Sequence, residues 1–175
     1  MPTKTKLNRT TIIARCADLF AAEPHVVVAY LFGSYARDQA GALSDVDIAV
    51  LLDDSVPAAD TFDERLRLMG AVTDALHFDD VDVVVLNQAP LALAYRVLRD
   101  GVVLACRDRD RRVQYTADIV SRYLDFKPVI ERFERAIIER ARRGELTRGY
   151  DPYHDALERY FRLRESLETV PEADV

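Results

Sequence analysis

The spacing of apolar positions changes period several times along the chain, and each change marks an element. Ile12, Ile13, Cys16, Leu19 and Phe20 recur three and four residues apart, the stripe of an amphipathic helix. A cap at Thr10 or Thr11 would start it, and Pro24 stands just past its end near Ala22. "HVVVAYLFGS" is short, apolar and β-branched, which predicts a buried strand halted at Gly33. "YARDQAGALS" predicts a loop or short helix, and "DVDIAVLLD" a second strand before a loop holding Pro57. Helical spacing returns from Thr61 to about Leu76 with Phe62, Leu66, Met69, Val72 and Leu76. "VDVVVLN", Val81–Asn87, predicts a third strand. In "PLALAYRVLRDG" a proline opens and a glycine closes a helix, and "VVLAC" reads as a short fourth strand or extended segment.

From about Asp110 the pattern is helical throughout, carried by Val113, Ile119, Val120, Tyr123, Phe126, Ile130, Phe133, Ile137 and Ala141. Pro128 is expected to kink or divide this run, and Gly144 to close it. Another helical pattern, Ala156 to Leu167, follows "RGYDPYH". The order of elements predicts an α+β (α/β) fold, a small mixed sheet flanked by helices with a C-terminal helical extension. The expected division is a core over 1–106 and an extension over 107–175, the latter a partner-binding region.

Charge adds to this picture. The chain of 175 residues carries a net charge of −6, which argues against a general nucleic-acid binder. From Asp38 to Asp100 there are 13 acids against 4 bases, and from Arg107 to Tyr150 there are 12 bases against 8 acids. An acidic middle followed by a basic segment predicts surfaces with different tasks. Cys16 and Cys106 follow no metal-ligand spacing and read as small apolar residues of a reducing compartment. The basic start, "MPTKTKLNRTT", lacks the apolar stretch of a signal peptide, and "VVVAYLF" is too short to span a bilayer. A cytoplasmic location is therefore expected. His25, His77 and His154 are scattered and read as ordinary core or surface residues.

Candidate chemistry begins with Asp45 and Asp47, two residues apart at the start of the second strand. Alternate strand residues share a face about 7 Å apart, so the two charges repel unless a cation lies between them. If the third strand pairs beside the second, Asp82 joins them. Three oxygen donors suit magnesium, and a strand ending in Gly33-Ser34 offers backbone N–H groups to phosphate. Metal with a phosphate cradle is the equipment for phosphoryl or nucleotidyl transfer.

"GS", ten residues and "DVD", with a strand-borne aspartate further on, resembles the signature of the nucleotidyltransferase superfamily with a polymerase β-like core. The "GSYAR" form and the small size resemble its minimal nucleotidyltransferase (MNT) branch, over about Val26–Cys106. "YTADIVSRYLDFKPVIERF" resembles the helical extension of MNT antitoxins paired with HEPN toxins. The resemblance implies that Gly33 and Ser34 bind phosphate and that Arg37 contacts it. It implies that Asp45, Asp47 and Asp82 are the catalytic carboxylates and hold two Mg2+ ions, with Asp82 also assisting the attacking hydroxyl. The family often has glycine where this chain has Asp38. The implied function is an antitoxin that transfers AMP from ATP to a tyrosine of a HEPN ribonuclease toxin, in a hetero-oligomer with it. Alternatives are transfer to a small molecule, as in aminoglycoside nucleotidyltransferases, transfer to RNA ends, or a non-catalytic toxin-binding module. No membrane partner is expected, and nucleic acid is disfavoured. "RGYDPYH" also fits the arginine-to-histidine spacing of HEPN ribonucleases, but its surroundings are too short for that domain, and the match is read as coincidence.

Overall fold

A computed structural model of the chain describes residues 7–41 and 43–143. Helix α1 (Arg9–Ala21) leads into strand β1 (Val26–Phe32), which passes into a one-turn helix α2 (Gly33–Ala36). Strand β2 (Val46–Leu52), helix α3 (Thr61–Leu76) and strand β3 (Val81–Val85) follow. After a single 3-10 turn come helix α4 (Leu91–Asp100), strand β4 (Val102–Cys106) and helix α5 (Arg109–Arg142). The sheet runs β3-β2-β1-β4, with β1 antiparallel to both neighbours and β2 parallel to β3. Strand alternation sends Leu31, Ile48, Val50 and Val83 to a core shared with α1 and α3. Tyr30, Ala49 and Leu51 face the opposite way, onto Ala94 and Val97 of α4 and Ile119 of α5.

Several local details differ from the expected elements. Asn8, not a threonine, caps α1: its backbone is still extended, and its side-chain oxygen accepts Thr10 N–H at 2.9 Å. In α3 the core face is Thr61, Leu68, Val72 and Leu76, while Phe62 and Leu66 are 60% and 43% exposed. Apolar residues lie on two adjacent flanks of this helix, and period alone does not say which flank meets the sheet. β3 stops at Val85 because Asn87 swaps backbone pairing for side-chain pairing. Its amide donates to Leu52 C=O at 3.0 Å and accepts Leu52 N–H at 2.9 Å. Cys16 is buried, and burial pushes its thiol up to about 11, but Cys106 is exposed.

Helix α5 is continuous through Pro128 and is not divided there. A proline interrupts one backbone bond, and the turns on either side can still propagate. The chain forms two compact units, Met1–Leu124 and Asp125–Val175. The first sixteen residues of α5, Arg109 to Leu124, belong to the first unit. Tyr115 donates to Leu86 C=O at 2.8 Å, Arg112 donates to the Tyr30 hydroxyl at 3.0 Å, and the Tyr95 and Tyr123 rings stack 3.7 Å apart. In the second unit, Phe126 and Ile138 are exposed on the helix. Gly144, "RGYDPYH" and the helical pattern Ala156 to Leu167 lie outside the described residues. No helix among the described residues is long and apolar enough to cross a membrane.

The acidic and basic stretches meet in part. Arg107 pairs with Asp53 at 2.6 Å, and Arg111 pairs with Asp54. The first arginines of the basic segment therefore fasten α5's start to the loop after β2. Exposed pairs of this kind contribute about 0–1 kcal/mol each, so their effect is on placement more than on stability.

The rotation of α3 has a direct test. Leu68→Ala is expected to cost about 2–5 kcal/mol of folding stability, and Leu66→Ala less than about 1 kcal/mol. Urea denaturation of both variants checks this; equal losses would mean that the helix presents the other flank to the sheet.

Candidate functional site

The strand directions gather the candidate residues at one end of the sheet. β1 runs against β2, so its exit lies beside β2's entry, and Phe32 is the register partner of Asp47. β3 runs with β2, so their entries coincide, and Asp82 is the register partner of Asp47. Asp47 and Asp82 thus lie side by side on the sheet face that also carries Tyr30, Ala49 and Leu51. Asp45 is exposed and stands one residue ahead of β2 rather than within it.

Gly33 closes the gap from the other side. Its φ is +70°, in the region that favours glycine, and a Cβ placed there would stand 1.9 Å from Asp47 Oδ2. Any larger residue would strain the turn and displace that carboxylate. Ser34 follows in α2, partly buried, and its carbonyl accepts the Gln39 N–H at 2.9 Å. Arg37 is exposed and donates from Nε to Gln39 Oε1 at 3.3 Å. Asp38 has φ +58°, a left-handed conformation open to aspartate at modest cost. The departure from glycine at this position therefore leaves the turn after Arg37 in a glycine-like shape.

Electrostatics bind the group together. Burial, then repulsion from Asp82 and Asp45, pushes the Asp47 carboxyl above its usual range, and the Arg37 charge draws it partly back. At the end of α4, Asp100 is held below its usual range by its pair with Arg99, helped by Arg37 and Arg96. Arg37's charge thus acts on both Asp47 and Asp100.

Hard oxygen donors that repel one another are a donor set suited to a divalent cation. Even so, among the described residues no three His, Cys, Asp or Glu side chains are gathered closely enough to hold a metal ion as they stand. Asp82 is turned aside: its Oδ1 accepts from Arg65 Nη2 at 2.9 Å. Arg65 is the residue that sequence reasoning missed. It lies on a helix flank with no motif around it, and only the packing of α3 against the outer strand brings it to Asp82. The hollow of about 740 Å3 beside Asp54, Asn87, Asp108 and Tyr115 lies at the far end of β2 and includes none of the candidate residues.

Residues 14–110 match the family described as polymerase beta, nucleotidyltransferase. The protein adenylyltransferase MntA of Shewanella oneidensis is 38% identical over 98 residues, 55% of this chain. The aligned part is 63% of that relative, less than two thirds of its length. A crystal structure of a toxin–antitoxin with AMP-PNP contains a chain 28% identical, with a TM-score of 0.57 over 75% of this chain and 99% of its own. A complex of tri-AMPylated Shewanella oneidensis HEPN toxin with MNT antitoxin contains one 27% identical, with a TM-score of 0.52 over 75% of this chain and 96% of its own.

Two outcomes follow from the geometry. Protonated Asp47 contributes stability that is complete below the ordinary carboxylate pKa of about 4 and is lost as pH rises through its raised folded value. In metal-free protein, Asp47→Asn is therefore expected to gain on the wild type as pH climbs to 7, relative to a baseline near pH 3, as about 3 lies below that pKa. Melting curves across this range check it, and a margin that stays flat would remove the raised pKa. At position 38, Asp38→Val is expected to cost about 1–2 kcal/mol and Asp38→Gly to be neutral or mildly stabilising. A harmless valine, read by chemical denaturation, would contradict the left-handed turn.

Proposed function

The chain belongs to the polymerase β nucleotidyltransferase family, and from that premise we propose that it is an antitoxin adenylyltransferase that moves AMP from ATP to a tyrosine of a HEPN ribonuclease toxin. The observation that carries this reading is Asp47 beside Asp82, with Gly33 against Asp47's carboxylate. That is a pair of carboxylates with a glycine turn packed directly against one of them. The similarity to MntA and to antitoxin chains crystallised with AMP-PNP or with an AMPylated HEPN toxin supports the donor and the acceptor. A cytoplasmic location goes with the reading, since ATP and the toxin would be met there.

In this mechanism Gly33 N–H, the Ser34 hydroxyl and Arg37 bind the β- and γ-phosphates and hold ATP in line. Asp45 and Asp47 would hold both Mg2+ ions and Asp82 one of them, and when bound they neutralise phosphate charge. Asp82 accepts the proton of the tyrosine hydroxyl. The tyrosine oxygen then bonds to the α-phosphorus, the bond from that phosphorus to the β-phosphate's bridging oxygen breaks, and pyrophosphate departs with the electron pair. The exposed residues of the second unit, among them Phe126 and Ile138, supply apolar surface for the toxin.

Incubation with α-labelled ATP, Mg2+ and the HEPN protein is expected to place label on a toxin tyrosine. Asp45→Asn and Asp47→Asn should each lose roughly a hundredfold or more in rate, the equivalent of a few kcal/mol of charge stabilisation. Label on RNA or a small molecule would change the acceptor. Toxin neutralised without any label would make the chain a binding module.

A further inference from the structure

We propose that Arg65 is a positioning residue that sets the orientation of Asp82's carboxylate. β3 is the sheet's edge strand, and Val83 turns its carbonyl to the open side. Arg65 reaches across from α3 and meets that carbonyl with Nε at 2.5 Å. The same guanidinium donates from Nη2 to Asp82 Oδ1 at 2.9 Å. A guanidinium is rigid and planar, so one fork grips two neighbouring points of the strand at a set angle. The side chain of Asp82 is thereby tied to the backbone of the next residue.

The clamp has consequences for the carboxylate pair. Asp82 and Asp47 share a register position and repel one another. With Oδ1 committed to Arg65, the angle of the whole Asp82 carboxylate beside Asp47 is set by that contact. Arg65 and Asp82 are 39% and 49% exposed, so the pair adds little to folding stability. What it does supply is geometry. The rotation of α3 that exposes Phe62 and Leu66 is the same rotation that carries Arg65 to the strand edge.

The test compares Arg65→Gln and Arg65→Lys in the full chain. Its first readout is binding of Mn2+ alone to nucleotide-free protein, followed by electron paramagnetic resonance of the free ion. Arg65→Gln removes a positive charge beside the carboxylates and should tighten Mn2+ roughly three- to tenfold. Arg65→Lys keeps the charge and should leave the affinity close to that of the wild type. In an Asp82→Asn background, Arg65→Gln should gain clearly less, because the part that acts through the Asp82 contact is gone.

Arg65's effect on turnover, unlike its effect on the metal, presupposes the transfer reaction proposed above. There both variants should lower kcat about 10–100-fold, as partners of ligating groups commonly do, with KM for ATP moved by less than about twofold. Melting temperatures near that of the wild type would separate this from a folding defect. Full turnover in Arg65→Lys would overturn the orienting role. So would unchanged Mn2+ affinity in Arg65→Gln, or an equal gain when Asp82 is already asparagine. If the wild type transfers no nucleotide at all, the preceding functional reading fails, and the Mn2+ cycle still decides whether Arg65 acts on Asp82.

Discussion

Strand pairing around β2 is the constraint on which everything else depends. An antiparallel neighbour brings the end of β1 to the start of β2, and a parallel neighbour brings the start of β3 to the same place. Three segments far apart in the chain then deliver Gly33, Asp47 and Asp82 to one point. The register is enforced from the other face, where Val46, Ile48, Val50 and Leu52 are buried against α1 and α3. A slip of one residue would turn Asp47 into that core and Ile48 onto the face that now carries Asp47. The face of β2 toward α1 and α3 thus guards the placement of Asp47 on the other.

This arrangement holds repulsion that the fold does not need. Asp47 is partly desolvated and faces two like charges, which is why its proton is held more tightly than usual. Removal of that repulsion would suit the empty protein, but it would also remove the groups that attract a cation. Arg37 and Arg65 temper it from opposite sides, one at the turn after β1 and one at the sheet edge. Elsewhere the acidic stretch is used differently: Asp53, Asp54 and Glu64 are paired with Arg107, Arg111 and Arg67.

Helix α5 serves two parts of the molecule. Its first turns complete the core through Ile119, Tyr115 and the Tyr95–Tyr123 stack, so the first unit continues to Leu124, past the last strand. Its later turns, in the second unit, keep Phe126 and Ile138 exposed. A periodic stripe of apolar residues looks the same in both stretches.

Most of the fold was legible because period reports local geometry. The four strands, the helices between them, and Gly33 as the stopping point of β1 follow from β-branched runs, helical spacing and glycine's freedom at positive φ. The neighbouring of Asp47 and Asp82 agrees with reading both as strand residues, whereas Asp45 stands one residue ahead of β2 rather than within it. Other features required the assembled structure. Which flank of α3 meets the sheet depends on the surface it packs against, so Leu68 replaced Leu66 in the core. Asp38's left-handed turn is a property of φ, which an aspartate does not announce. Arg65 is one helix arginine among several by sequence. It becomes Asp82's partner only because β3 is an edge strand with a free carbonyl, and edges exist only once the strands have been ordered.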